Sequence, residues 1–374
     1  MKPVLYPSTT QTIDDPCIGH LADAISCKVT EDIDGVFDIE IQYPSNGPFA
    51  SDIVVDNMIC VLYPYRTLNS LNTTSPEWRD ITIREELFDI SKVEITDDVM
   101  TIFGHQRSYR LNYCIVNGTN ATQSPATVSQ AITNLETKST PQFHTVSDFL
   151  GFTPHISKYI TATRHWESVN IKSVRSYLTD TWYSLQKIYG VSVSFHNKDI
   201  NIASRRGKDD GVEIRIGKNI VKRQWSQDED GTFNALAPYW VKDDVKVVTN
   251  PLIVTPTTAR TPQKAAIMDF TDDFITQPSA AELETYARAF LDDNKPWQPS
   301  ETTHIEIAPL WDTNGGTYAN RIVLGDDVTV FWKRPNAVKS KLQVVRTVYD
   351  CLSEEYETIE LGNLQRGYVV TAFV

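Results

Sequence analysis

Apolar and polar residues alternate strictly over Phe37, Ile39, Ile41 and Tyr43, with Asp38, Glu40 and Gln42 between them. A period of two predicts a strand with one buried face, and the mixed run AISCKVTE with the Asp34-Gly35 turn completes a β-hairpin from Ala24 to Tyr43. The same period organises the last fifth of the chain, Arg321 to Asn363. There Val328, Val330 and Trp332 share a face, and Pro335-Asn336 breaks the run. Leu342, Val344 and Val348 then alternate with polar residues, and a final strand runs from Tyr356 to Leu361, stopping at Gly362. The pattern is that of a β-meander.

A similar order of features occurs upstream, between Asp56 and Gly104. Asp56-Asn57 opens the strand MICVLY as Asp326-Asp327 opens VTVFW, and Phe88-Asp89 precedes a strand-turn-strand as Tyr349-Asp350 does. We read two copies of one β-module. Pattern alone leaves open the plainer alternative of two unrelated meanders. The polar stretch from Leu68 to Asp80 is expected to form an exposed loop inside the first copy.

Between the copies the period lengthens. Ser124-Pro125 is expected to start a helix with Val128, Ala131, Ile132 and Leu135 on one stripe. A second helix is expected from Ser173 to Tyr189, stopped by Gly190, followed by a hairpin turning at Asn197-Lys198. β-structure resumes with VEIRIGKNIVKRQW, turns at Asp228 to Gly231 and returns through Phe233 to Trp240. A Pro- and Thr-rich connector follows, then a helix with a capping box from Ser279 to Glu282 and a stripe of Leu283, Tyr286, Ala287, Phe290 and Leu291. THIEIAPL then re-enters the β-module. The expected fold class is therefore mainly β with α+β insertions. Residues 1–117 form the first module, 118–208 an inserted α+β domain, 209–250 with 301–374 the second module, and 251–300 an inserted segment with one amphipathic helix.

A chain of 374 residues is long enough for two to four domains, and 41% hydrophobic residues suffice for packed cores. The net charge of −13 disfavours a protein that grips nucleic acid, which needs a basic face. The five cysteines (Cys17, Cys27, Cys60, Cys114 and Cys351) lack metal or redox spacing and are expected to be free, those in strand-like runs as core residues. The N-terminus lacks the apolar region of a signal peptide, and no run approaches the ~18 apolar residues of a membrane span. The expectation is a soluble protein made in a cytoplasm, so the sequons at Asn72, Asn117 and Asn120 carry no weight.

No spacing in the chain assembles a catalytic constellation. The seven histidines are scattered, and neither HExxH, a GxSxG elbow nor a phosphate-cradling glycine loop occurs. Gly315-Gly316 reads as a hairpin turn. Carboxylate pairs at Asp97-Asp98, Asp272-Asp273, Asp292-Asp293, Asp326-Asp327 and Glu354-Glu355 all fall at expected turns or element ends and read as solvated. His105 is the most site-like histidine, although a satisfied structural role outweighs a general base. Arg205, Arg206 and Lys208, with Lys218, Lys222 and Arg223, form the local positive cluster. It reads as a solvated loop or as a contact with an acidic neighbouring subunit. We assign no catalytic, cofactor-binding or metal-binding residue, and the expectation is that the chain is not an enzyme.

The runs LADAISCKVTEDIDGVFDIEIQYP, LFDISKVEITDDVMTIFGHQRSYRLN, VEIRIGKNIVKRQW, FITQPSAAELETYARAFLDDN and LGDDVTVFWKRPNAVKSKLQVVRTVYDCLSEEYETIELGN, in this order, resemble one family. It is the baseplate hub, or tail-associated lysin hub, of bacteriophages and prophages of Gram-positive hosts, often labelled prophage tail endopeptidase. The resemblance implies two tail-tube-like β-barrel modules per chain with inserted α+β domains, similar to the hub of contractile tails. It implies a homotrimer, nearly sixfold by barrel, joining the distal tail protein and tail tube to the tip, fibre or receptor-binding proteins. It further implies a channel for DNA and the tape-measure protein, and a place in the virion tail tip after synthesis in the host cytoplasm. Many relatives carry a peptidoglycan-cleaving domain beyond the hub. This chain ends at TAFV, so the lytic label is not carried over. The alternatives are a cell-wall hydrolase, or a receptor- or carbohydrate-binding tail module with Trp297 and Trp311 as sugar platforms.

Overall fold

In this computed structural model the described residues are 2–10, 12–33, 35–69, 77–118, 126–145, 150–164, 166, 168, 171–180, 184–215, 220–229, 231–242, 244–274, 276–298, 300–307, 322–331, 340–362 and 372–373. They form two compact units, one of Met1–Arg223 with His304–Leu361 and one of Gln224–Thr303 with Gly362–Val374. The fold is mainly β with helical insertions.

The large unit is built on β1 (Val4–Tyr6), β2 (Gly19–His20), β3 (Ser26–Asp32), β4 (Phe37–Pro44), β5 (Met58–Leu68), β6 (Trp78–Thr96) and β7 (Val99–Gln106). The C-terminal meander adds Asp327–Phe331, Ser340–Asp350 and Glu355–Gly362. Across the main sheet the order is Glu355–Gly362, Ser340–Asp350, β3, β4, β7, β6, β5, β1, β2. The two meanders therefore lie in one sheet, and the β3–β4 hairpin joins them. On one side Lys28–Asp32 of β3 pairs with Arg346–Asp350, and on the other Asp38–Pro44 of β4 pairs with Val99–His105. Both hairpin edges are paired, so neither exposes a row of unsatisfied backbone groups. The alternation explains why this register holds. Phe37, Ile39, Ile41 and Tyr43 are all buried, and a slip of one residue would exchange them for Asp38, Glu40 and Gln42. One core takes side chains from the hairpin and from both meanders, among them Ile41, Phe88, Val330, Val344 and Ile359.

Two expectations in the meanders change. The strand opening the first copy continues to Leu68 and β6 begins at Trp78, and these two buried residues face each other across the ladder. Leu68 and Trp78 to Asp80 are thus strand residues, and residues 70–76 of the expected loop lie outside the described residues. In Ser340–Asp350 the buried phase starts at Leu342 and Val344 but passes to Thr347 and Tyr349, leaving Val348 half-buried. The shift falls where the strand stops pairing with Asp327–Val330 and starts pairing with β3, and a change of partner there breaks strict alternation. Trp332, Pro335 and Asn336 lie outside the described residues.

The inserted segment has its own core, including Leu135, Phe152, Trp166 and Tyr177. Helix α1 (Val128–Lys138) buries Val128, Ala131, Ile132 and Leu135 as the stripe requires. Its cap is Thr127, which accepts from the Gln130 N–H while the Gln130 side chain reaches back, and not Ser124, which lies outside the described residues. The expected long second helix is interrupted. Ile171–Ser173 is a strand, Ser176–Asp180 form a single wide turn, and α2 (Leu185–Tyr189) starts anew with Ser184 as its cap. The Ser184 hydroxyl accepts from the Lys187 N–H, an alternative to continuous helix that periodicity does not register. Gly190 ends α2 at φ 64°, the left-handed stop expected of it. The hairpin Ser192–His196 and Asp199–Ala203 follows, turning at Asn197.

In the small unit, Ala235–Lys242 lies between Val245–Val248 and Ala265–Asp269, with Ala372–Phe373 beyond the latter. Ala235–Tyr239, within the run expected to return to the second β-module, thus pairs with Ala265–Asp269 of the segment read as an insertion. Helix α3 (Ala280–Asn294) carries the expected Ser279/Glu282 capping box and packs Leu283, Ala287 and Leu291 against Leu236, Trp240 and Met268.

Candidate functional site: a buried charge clasp in the large unit

Buried charge in the large unit gathers where the connector Ser204–Asp210 leaves the inserted hairpin and passes between the two meanders. Asp326, at the turn opening the C-terminal meander, is 2% exposed. Its carboxylate accepts from Arg66 Nε at 2.8 Å and Nη2 at 2.9 Å, and from the backbone N–H groups of Lys208 at 2.9 Å and Val323 at 3.1 Å. Arg66 comes from β5 and also donates to the Arg79 carbonyl and to Asp210. One carboxylate therefore holds both meanders and the connector. Such a bidentate pair, with its remaining sites filled by N–H donors, is the arrangement in which a buried ion pair is tolerated.

A second group sits beside it. Glu31 of β3 accepts from Arg206 of the connector and from the Tyr63 hydroxyl at 2.9 Å, and Tyr63 lies 3.3 Å from the Thr347 hydroxyl. Burial pushes the Glu31 carboxyl up, and Arg206 and Tyr63 draw it back only in part. The third group centres on Glu86 of β6, 1% exposed, which accepts from Gln106 Nε2 at 2.9 Å, from the Asn197 N–H at 2.6 Å and from His196 Nδ1. His196 stacks on Tyr65 with ring centres 3.9 Å apart. Burial disfavours the imidazolium, but the Glu86 charge and hydrogen bond outweigh it and raise the His196 pKa. Asn197, left-handed at φ 46°, also ties its side chain to the Leu87 N–H and the Glu85 carbonyl. The tip of the inserted hairpin is thereby fastened to β6.

The backbone closes the clasp. Gly207 and Gly325 have φ of 77° and 90°, and a Cβ on Gly207 would lie 2.1 Å from the Gly325 carbonyl carbon. Gln343 Nε2 donates to the carbonyls of Gly325 and Arg206, and Trp78 Nε1 donates to the Arg205 carbonyl at 2.7 Å. Side chains of the three groups line one cleft, Glu31, Tyr65, Arg66, Glu86, His196 and Arg206 among them. Its carboxylates are all engaged by cations or N–H donors, so the arrangement is chemically suited to holding chain segments together.

This placement revises two expectations. Arg205 is exposed and Arg206 and Lys208 are half-buried, yet all three are engaged by carboxylates of the large unit rather than simply solvated. Arg205 forks onto Asp327, Arg206 Nη2 donates to Glu31, and Lys208 pairs with Asp210 at 2.8 Å. Of the carboxylate pairs, Asp97-Asp98 and Glu354 are exposed turn residues, whereas Asp326 is buried and Asp327 is paired with Arg205 and Lys341. In both cases the decisive partners meet only on folding: Arg205 and Asp327 are 122 residues apart in sequence, and Arg66 and Asp326 are 260 apart. Lys218, and the side chains of Lys222 and Arg223, lie outside the described residues.

The other candidates are elsewhere. His105 Nδ1 is 2.7 Å from Asp38 and its ring stacks on Tyr109; the Asp38 hydrogen bond raises its pKa against burial. Trp297 packs on the small unit's core under the Arg260 guanidinium, 4.6 Å from the ring centre. Trp311 and Gly315-Gly316 lie outside the described residues. Among the described residues no three His, Cys, Asp or Glu side chains come together as a metal site, and no helix is long and apolar enough to cross a membrane. Sequence reasoning missed Glu31, Arg66, Glu86, His196, Gly207 and Gly325. The available signal was the repeated motif of a glycine beside paired aspartates, in LGDD and in GKDDG.

No protein-family model matches the sequence, and neither does any curated protein. Solved structures do match. The prophage tail protein gp18 from Listeria monocytogenes EGD-e superposes with a TM-score of 0.58 at 12% identity, over 98% of this chain and 96% of that one. The 43 kDa tail protein of prophage MuSo2 from Shewanella oneidensis gives 0.54 at 10% identity, over 96% and 98%. A tail protein from Neisseria meningitidis MC58 gives 0.53 at 10% identity, over 97% and 96%. Across nearly its whole length, this chain has the fold of prophage tail proteins.

Proposed function

We propose that the chain is a structural hub subunit of the tail tip or baseplate of a bacteriophage or prophage. The observation that carries this reading is the near full-length agreement in fold with tail proteins from three bacterial sources. The internal architecture supports it. Two meanders fused edge to edge by the β3–β4 hairpin make one continuous wall, and the clasp fixes the inserted domain to that wall.

In the finer form of the proposal, three chains close into a ring to which each contributes two tube-like modules. The ring is threefold by chain and nearly sixfold by module, and it joins a hexameric tail tube and distal tail protein to a trimeric tip. The tape-measure protein and then DNA pass through its centre. A net charge of −13 suits that passage, since a wall that repels phosphate does not retain DNA. The role is mechanical, and the protein is located in the virion tail.

The reading is tested by the absolute mass of the purified chain from light scattering, followed by class averages of the particles. A trimer with a central hole and six similar lobes is expected. A particle that remains a monomer both alone and when mixed with tail tubes would overturn the ring. Clearing of host cell walls in a zymogram would favour a hydrolase instead, and selective binding on a glycan array would favour a carbohydrate-binding module.

A further inference from the structure

Cys27 and Cys351 are far apart in the chain but adjacent in the large unit. Cys27 lies on β3, in the register that pairs Lys28 with Asp350, so that Cys351 falls directly opposite it. The Cys351 N–H donates to the Cys27 carbonyl at 2.8 Å, continuing the ladder by one residue. Opposed residues on an antiparallel ladder have Cα atoms about 4.5–5.5 Å apart. A disulfide spans Cα separations of about 4.4–6.8 Å, so opposed positions of this ladder fall within bridging range. Opposed side chains leave the sheet on the same face, so the two thiols project from the same side of the ladder. Both residues are buried in the core shared by the hairpin and the meanders, at 0% and 2% exposure.

The remaining cysteines provide the contrast. Cys17 is exposed, and burial pushes the Cys60 and Cys114 thiols up to about 12 and about 11. Those three behave as isolated thiols, whereas Cys27 and Cys351 have each other.

We propose that Cys27 and Cys351 form a disulfide that staples β3 to the C-terminal meander. The bond would lie across the junction where the bridging hairpin joins one module to the other, and it would close a loop of more than three hundred residues. With a low-molecular-weight disulfide such as oxidised glutathione as oxidant, one cysteine thiolate attacks the reagent's S–S bond and releases one glutathione thiol. The second thiolate then attacks the mixed disulfide and releases another. Two S–H bonds are lost and one protein S–S bond forms, and two electrons and two protons pass to the glutathione pair. Burial restricts attack on the folded chain, so the bond forms while the β3 junction is open, during folding or transient separation of the strands.

The test is to denature and reduce the full-length chain, then refold it in a glutathione redox buffer and in dithiothreitol. Samples are alkylated and their peptides mapped without reduction. The oxidised sample should contain a Cys27–Cys351 cross-linked peptide, lighter by two hydrogens than its reduced components. Its melting temperature should be higher by roughly 5 °C. Both changes should disappear on reduction and in Cys27→Ala and Cys351→Ala chains, and should persist in a Cys17→Ala chain. The proposal is overturned if both thiols of the natural sequence are alkylated after oxidative refolding, or if the cross-link forms without raising the melting temperature.

Discussion

Gly207 and Gly325 pack backbone against backbone, so closely that a single methyl group on the first would lie 2.1 Å from the carbonyl carbon of the second. They sit between the inserted domain's connector and the turn that presents Asp326. Their contact sets the distance at which Arg66, Lys208 and Gln343 reach their partners. A Gly207→Ala chain should lose about 3 kcal/mol or more of stability, because the clash is with backbone and cannot be relieved by a side-chain rotation. Gly211 has nearly the same backbone conformation, φ 71°, but nothing within 4 Å of its Cβ position. Gly211→Ala should therefore cost only about 1–2 kcal/mol. Urea denaturation of the two variants separates steric contact from backbone strain, and equal losses would refute the packing argument.

The Arg66–Asp326 pair has both side chains 3% exposed. Removing one partner leaves an uncompensated buried charge, so Asp326→Ala should destabilise the large unit by about 3–5 kcal/mol. Replacing both, as Arg66→Met with Asp326→Leu, should cost less than the sum of the single changes. A double-mutant cycle measures that difference, and strict additivity would mean that the two groups do not act as a pair.

His196 and His105 each have a carboxylate partner, and both pKa values are raised in the folded chain. The folded state therefore binds protons more tightly than the unfolded one. The resulting stability is fully present below the unfolded value of about 6.5 and is lost as pH rises through the folded values. The buried His196 should dominate, since His105 is 43% exposed at its side chain and more strongly screened. Melting temperatures measured upward from about pH 6 should fall through this window. The fall should be smaller in a His196→Gln chain, and an unchanged slope would exclude this linkage.

Two capping boxes offer a local test. Ser279 and Thr127 each accept from the N–H three residues on, in the small and large unit respectively. Ser279→Ala and Thr127→Ala should each cost about 1 kcal/mol in denaturant titrations. Ala substitution that leaves both midpoints unchanged would contradict these caps.

By itself, the sequence determined what depends on neighbouring residues. The alternation from Phe37 to Tyr43, the stripe of α1, the Ser279 capping box and the Gly190 stop all read correctly, because each is a local pattern matched to one backbone period. The broken helix before Tyr189 was less legible, since Ser184 competes for a backbone N–H without disturbing the apolar spacing. Only the tertiary structure decided which edges pair. The union of the two meanders through β3 and β4, the burial of Asp326 against Arg66, and the opposition of Cys27 to Cys351 join residues hundreds of positions apart. Charge in a sequence looks solvated until its partner is known. Arg206 and Glu31 become a buried pair only when the folded backbone brings them together and the surrounding core excludes water.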